Sequence, residues 1–93
     1  MSETINLSAY IINPKQIHTL TYRALKNPRN IAFQIKMDNP IFNNLLDIPL
    51  KKSIYIKYDN DLTFRIYNSH LYPNYYSIFC KDKDMKKISN ILL

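Results

Sequence analysis

The amino-acid sequence predicts a small α+β domain in which a mixed or mostly antiparallel sheet carries its helices on one face. Segments with apolar residues at every second position alternate with segments of helical spacing, and Asn-Pro, a helix-starting signal, follows two of the alternating segments. Two further alternating runs flank Asp59-Asn60-Asp61, which is typical of a β-hairpin. A chain of 93 residues suffices for one hydrophobic core, so residues 1–93 are expected to form a single domain.

The first half of the chain is predicted to contain a strand, a helix and a second strand. Alternation over Thr4–Ile12 indicates a half-buried strand, and Asn13 is the expected cap of a helix over Pro14–Lys26. This helix is expected to end before Pro28, because proline disfavours helical geometry in the residue before it. The period of two returns over Asn30–Met37 and predicts the second strand.

The second half is predicted to contain a short helix, a three-stranded meander and a final helix. Asp82 or Asp84 is the expected cap of that final helix, and Asn60 or Asp61 is expected to take a positive φ in the hairpin turn. The order is therefore β-α-β-(α)-β-β-β-α. The predicted elements are helical turns around 41–46, strands over Ser53–Tyr58, Leu62–Asn68 and Tyr75–Lys81, and a helix carrying Met85, Ile88, Ile91 and Leu92.

The core candidates are the apolar residues that these periods place on the inner side of each element. They are Ile5, Leu7, Ile17, Leu20, Leu25, Ile31, Phe33, Ile35, Ile54, Ile56, Phe64, Ile66, Ile78 and Ile88.

The predicted hairpin has two unlike faces. A three-residue loop at Asp59-Asn60-Asp61 would pair Ile54 with Ile66, Ile56 with Phe64 and Tyr58 with Leu62, giving one apolar face. On the reverse face the same register would place Tyr55 beside Arg65, Lys57 beside Thr63 and Ser53 beside Tyr67.

Three interpretations of this reverse face stay open. Rings that alternate with cations on an open sheet face are the components of a nucleic-acid platform, in which rings stack on bases and cations contact phosphates. Tyr and Arg are also common anchors of protein interfaces. An ordinary solvated sheet face explains the pattern more simply, since Tyr is a good strand residue. The candidate binding residues here are Tyr55, Lys57, Arg65 and Tyr67.

Two other segments are candidate binding surfaces. Tyr72, Tyr75 and Tyr76 lie in or beside a predicted loop, and Tyr is a preferred residue of binding patches because it offers a large contact area at low entropic cost. Such rings also simply pack over small cores. On and after the first helix, four cations form a secondary basic face, although most charged helix faces are only solvated. They are Lys15, Arg23, Lys26 and Arg29.

The composition bounds the class of partner. The net charge of +6 and the pI of about 9.5 point to polyanion partners, but ten Lys against three Arg also fit the codon bias of an A/T-rich genome. The chain contains no Gly and no Val, which fits the same bias and suggests an A/T-rich genome, such as that of a phage, a virus, a low-GC bacterium or an organelle-bearing eukaryote. No apolar stretch is long enough for a membrane span, and the N-terminus lacks a signal-peptide pattern. A single cysteine, Cys80, fits a reducing cytoplasm, or the host cytoplasm for a viral protein.

Most catalytic and metal chemistry is disfavoured. Without Gly the chain cannot form Gly-rich phosphate loops or nucleophile elbows. The Asp59/Asp61 and Asp82/Asp84 pairs lack further calcium ligands, and neither histidine has other ligands at zinc spacing. No cofactor and no metal are therefore expected.

The leading hypothesis is a non-enzymatic binding protein, encoded by a virus or phage, that occupies a surface of a host protein or nucleoprotein complex, for instance as a defence inhibitor. The first alternative is direct binding of RNA or single-stranded nucleic acid. The second is a small metal-free ribonuclease of toxin type, in which His70, Tyr67 and basic groups would handle proton transfer and the phosphate. The oligomeric state is left open.

Overall fold

The computed structural model of the chain describes residues 6–27, 29, 31–42 and 47–93. Within these residues, five strands form one antiparallel sheet in the order β1-β3-β4-β5-β2, accompanied by two helices, so the predicted α+β class is confirmed. The strands are β1 (Ile11–Ile12), β2 (Ile31–Lys36), β3 (Ser53–Asp59), β4 (Leu62–Tyr67) and β5 (Tyr75–Phe79), and the helices are α1 (Thr19–Lys26) and α2 (Met85–Leu92).

The meander of β3, β4 and β5 forms as its alternating pattern predicts. Ile54 pairs with Ile66 and Ile56 with Phe64, and the next pairing places Ile78 of β5 beside Ile66. Because opposite residues of an antiparallel pair share a face, these side chains form one apolar layer. Ile56, Phe64, Ile66 and Ile78 are fully buried in the hydrophobic core.

The turn between β3 and β4 differs from the prediction. The register shifts between Lys57 and Asp59, so Asp59 faces Leu62 and the predicted Tyr58–Leu62 pair is wrong. Neither Asn60 nor Asp61 has a positive φ, and that prediction is also wrong. The extra residue and a 2.6 Å hydrogen bond from the Asn60 amide to Asp59 Oδ1 shape the turn instead.

The N-terminal strand is much shorter than predicted. Within the described residues 6–12, Leu7–Tyr10 form a 3₁₀ turn and β1 is the extended part, which pairs with Tyr55 and Ile56. Asn6 begins this turn, because its side chain accepts hydrogen bonds from the amide and the hydroxyl of Ser8. Such local bonds compete with a strand ladder. Of the predicted core residues here, Leu7 is buried, and Ile5 lies outside the described residues.

Helix α1 begins five residues later than predicted. Asn13 and Gln16 close a capping box around the 3₁₀ turn Pro14–Gln16, and the chain then extends through Ile17. His18 caps α1, its Nδ1 accepting the Leu20 amide at 3.3 Å. Leu20 and Leu25 lie about 140° apart around the helix axis, so both cannot face the core. Leu25 is fully buried, whereas Leu20 is 69% exposed and its assignment to the core was wrong.

The second predicted strand and the segment after it are confirmed in part. Strand β2 lies at the sheet edge, where a register shift beside Ile31 leaves that side chain 38% exposed rather than in the core. Phe33 is half-buried, and Ile35 is buried as predicted. The helical turns expected around 41–46 are represented by the 3₁₀ turn Pro40–Phe42, and Leu45 and Leu46 lie outside the described residues.

Helix α2 follows β5 and packs its apolar side into the core. Its Ile88 and Leu92 are buried in the core. Asp82 and Asp84 form a 3₁₀ turn before it, and Asp84 stands at the cap position without a capping hydrogen bond, so the predicted side-chain cap is wrong. Neither helix of the described residues has the length and apolar character to cross a membrane.

The replacement of Ile56 by Ala is expected to lower the free energy of unfolding by about 2–5 kcal/mol, because it opens a cavity in the single core. Phe33→Ala should cost less than about 2 kcal/mol, since Phe33 is half-buried at the sheet edge. Urea denaturation measures both, with Leu20→Ala as the exposed control, expected below about 0.5 kcal/mol. Equal midpoints for Ile56→Ala and Leu20→Ala would contradict the assigned faces.

Candidate functional site

Helix α1 covers the part of the hairpin's reverse face that carries Tyr55 and Arg65, which is called the Tyr55 face below. The Tyr22 ring lies against the Tyr55 ring with centroids 5.7 Å apart, and Tyr55 is only 4% exposed. The expectation that this part of the face is open is therefore wrong. A ring buried under a helix cannot stack on a nucleotide base.

Arg65 joins α1 to the sheet. Its guanidinium carbon lies 4.7 Å from the Tyr67 ring centroid and 4.6 Å from that of Phe79. Arg65 Nε donates a hydrogen bond to Ser53 Oγ at 3.1 Å, and Nη1 donates to the Leu25 carbonyl in the last turn of α1 at 3.4 Å. A cation is favoured beside carbonyl groups at a helix C-terminus. Arg65 therefore has a packing role between the sheet and α1, in which the half-buried Tyr67 takes part.

Tyr22 of α1 and Tyr55 of β3, whose rings are in contact, differ in their acidity. Hydrogen bonding with the Lys26 side chain lowers the pKa of Tyr22, and the Lys26 ammonium lies 4.8 Å from the Tyr22 ring centroid. Burial raises the pKa of Tyr55. Tyr55 is therefore held as a neutral phenol, consistent with a packing role.

The row beyond Tyr55 and Arg65 is not covered. Lys57 and Thr63, which pair directly, form the floor of a cleft of about 700 Å³. One wall comes from Gln16, His18 and the start of α1, and the other from the β5–α2 connection. Of the four predicted residues on this face, only Lys57 is exposed.

The predicted tyrosine cluster divides into packing and exposed residues. Tyr76 is buried and meets Phe42 edge to face with ring centroids 5.1 Å apart. Tyr75 is half-buried in β5 opposite Lys36, whereas Tyr72 is 41% exposed. Its neighbour Leu71 is 68% exposed, and the sequence reasoning missed it. The available signal was a large apolar residue in a loop rich in turn-forming residues.

Local hydrogen bonds order the turn that carries Leu71 and Tyr72. The Leu71 amide donates to Ser69 Oγ at 3.1 Å and the Tyr72 amide to the Ser69 carbonyl at 3.3 Å, and Ser69 itself is buried. Asn74 adopts φ 70°, and its carbonyl accepts the Met37 amide at 2.9 Å. The turn is therefore tied both to itself and to the end of β2.

A second loop lies beside this turn. The Lys51 amide donates to the Asn68 carbonyl at 2.7 Å, and Asn68 Nδ2 donates to the Ile48 carbonyl at 2.8 Å. This loop presents Leu50, which is 60% exposed. Residues 50–52 and 69–74 together are called the apolar tip below.

The secondary basic face is exposed, as its pattern suggested. Lys15, Arg23, Lys26 and Arg29 all reach solvent. Lys15 borders a shallow hollow of about 390 Å³ with Pro14, Ile17, Thr19 and Tyr22.

The described residues contain no group of three or more His, Cys, Asp or Glu side chains placed to hold a metal ion. Cys80 is buried, and burial together with Asp84 and Asp82 raises the pKa of its thiol to about 11. Cys80 is therefore a neutral thiol at neutral pH, which makes it a poor nucleophile.

No protein-family model, curated protein sequence or solved structure matches this chain. Two surfaces of the described residues are prominent, the apolar tip and the cleft above Lys57 and Thr63.

The substitution Arg65→Lys is expected to lower the free energy of unfolding by about 1–3 kcal/mol, because a lysine ammonium cannot lie flat over the rings and donate to both Ser53 and Leu25. Chemical denaturation measures the loss. Arg23→Lys, on the exposed side of α1, is the matched control and should change stability by less than about 0.5 kcal/mol. If both variants unfold at the same midpoint, Arg65 does not anchor α1.

Proposed function

We propose that this chain is a non-enzymatic binding protein, encoded by a virus or phage, that occupies a surface of a host protein or nucleoprotein complex in the cytoplasm, for instance to inhibit a defence factor. The observation that carries the proposal is the exposure of Leu71 and Tyr72 on an ordered turn. The viral or phage origin is supported by the A/T-rich codon bias of the composition alone.

The apolar tip has the physical properties of a binding surface. Leu71 and Tyr72 are consecutive large side chains and both are exposed. Contiguous exposed apolar surface on a small protein favours association. Because Ser69 and Asn74 already fix the turn, little conformational entropy would be lost when a partner binds. Tyr72 adds a ring with two rotatable angles and a hydroxyl group, and tyrosine is a common anchor residue of protein interfaces.

Charge around the tip defines the chemistry of the partner. Lys51, Lys52 and His70 are exposed beside the apolar residues. A complementary partner would offer an apolar pocket for Leu71 and Tyr72 with acidic side chains at its rim. The net charge of +6 would also speed encounter with such a surface.

The Tyr55 face is not part of the proposal. Tyr55 is buried, and Arg65 lies over the Tyr67 and Phe79 rings while it donates hydrogen bonds to Ser53 and Leu25. Neither side chain can anchor a partner without moving α1.

The exchange of Leu71 or Tyr72 for Ala is expected to weaken binding to the partner at least about tenfold, because each removes an apolar anchor from the tip. Tagged protein is incubated with lysates of candidate hosts, captured proteins are identified by mass spectrometry, and the dissociation constant of each purified candidate is measured. Leu20→Ala is the matched control, since Leu20 is 69% exposed and Leu71 68% exposed.

Nuclease treatment of the lysate distinguishes a protein partner from a nucleic acid. Capture that survives nuclease and falls with Leu71→Ala but not with Leu20→Ala supports the proposal. If the two leucine variants bind every captured protein equally, the tip is not the interface.

The purified protein is expected to hydrolyse neither RNA, DNA nor nucleotides, with or without Mg²⁺. His70 lies on the exposed turn, while the Tyr67 ring packs against Phe79 with centroids 6.2 Å apart. The assay is release of fluorescence from quenched oligonucleotides. Turnover that disappears in His70→Ala would establish the ribonuclease alternative instead.

A further inference from the structure

The cleft above Lys57 and Thr63 is a second surface, separate from the apolar tip. Four lysines from three parts of the chain line it: Lys57 from β3, Lys81 and Lys83 from the β5–α2 connection, and Lys87 from α2. Among the described residues, none of these four ammonium groups forms an ion pair. Unpaired like charges that converge on one concave surface repel one another, and an anion relieves that repulsion.

The neutral groups of the cleft wall are also arranged to donate hydrogen bonds. His18 Nδ1 accepts the Leu20 amide, which leaves the proton of the neutral ring on Nε2. Gln16 Oε1 accepts the Asn13 amide, so the NH₂ group of its side chain can donate. The hydroxyl groups of Thr21 and Thr63 add two further donors.

The carboxylates of the cleft oppose this charge only in part. Asp84 is 5% exposed and lies close enough to Cys80 to raise the pKa of that thiol. Asp59 and Asp61 are exposed on the hairpin turn, where Asp59 Oδ1 also accepts the Asn60 amide at 2.6 Å. Three carboxylates therefore stand against the four lysines, and the lining keeps a small positive excess.

We propose that this cleft binds the phosphate groups of a nucleotide or of a nucleic-acid strand. A volume of about 700 Å³ lies within the usual range of small-ligand sites. Ammonium groups recognise phosphate as point charges, without the planar fork that arginine provides. No Tyr or Phe is among the described residues that line the cleft, so recognition is by charge and does not include stacking on such rings.

The experiment titrates the full chain with inorganic phosphate, adenosine monophosphate and a fluorescein-labelled single-stranded 12-mer RNA. Titrations are run at 50 and 200 mM NaCl. Affinity is read by fluorescence anisotropy or calorimetry, and amide NMR shifts of Lys57, Thr63 and Lys81 report the location. Lys57→Gln and Lys87→Gln are each expected to weaken binding about threefold to tenfold. For the RNA, each lost contact should flatten the log–log salt dependence by about 0.7.

Lys86→Gln is the matched control, because Lys86 neighbours Lys87 on α2 and carries the same charge but borders a different hollow. Binding that falls for Lys87→Gln and persists for Lys86→Gln supports the cleft. Binding of the monophosphate identifies a nucleotide ligand, and binding of the RNA alone identifies a strand. Equal losses for Lys86→Gln and Lys87→Gln, or no saturable binding at 50 mM NaCl, would overturn the proposal. The apolar tip is tested independently, since Leu71→Ala leaves the cleft intact.

Discussion

The contact between Arg65 and the last turn of α1 determines what the rest of the molecule presents to solvent. The Arg65 guanidinium lies over both the Tyr67 ring and the Phe79 ring, and its hydrogen bond to the Leu25 carbonyl joins the helix to the sheet. Leu25 then fills the core, and Tyr22 closes over Tyr55. A half-buried cation is stable here because Nε and Nη1 donate hydrogen bonds and the ring faces attract positive charge.

The position of α1 also explains why one part of this sheet face is covered and the next part is open. The helix covers the row of Tyr55 and Arg65 and leaves the next row, Lys57 and Thr63, as the floor of the cleft. The apolar tip follows the other end of β4. Six residues at about 3.3 Å each place these two surfaces about 20 Å apart. A ligand in the cleft and a protein on the tip could therefore be bound at the same time.

The parts of the fold that could be predicted are those in which a local sequence pattern alone determines the element and its pairing. The β3–β4 pairing follows from two alternating runs and a short turn, since a slip by one residue would move every apolar side chain to the wrong face. The start of α1 could not be predicted from its period, because capping by Asn13 and then by His18 divides the segment. The Arg65–Leu25 contact joins residues 40 positions apart, so no local pattern reveals that the Tyr55 face is covered. The cleft was missed for the same reason, because Lys57, Lys81 and Lys87 meet only in the folded chain.

The chain contains no glycine, and this affects the backbone geometry of the apolar tip. Turns that require a positive φ normally use Gly, and other residues adopt this geometry at an energetic cost that is smaller for Asn than for Lys. In the described part of the chain, the positive-φ residues are Lys51 and Asn74, and both lie in the tip. Each is held by a tertiary hydrogen bond, Lys51 to Asn68 and Asn74 to Met37. The fold therefore accepts backbone strain in the two loops that expose Leu50, Leu71 and Tyr72, and strained backbone of this kind concentrates at functional sites. Backbone strain is thus a second observation, independent of side-chain exposure, that favours the apolar tip over the Tyr55 face in the proposed binding role.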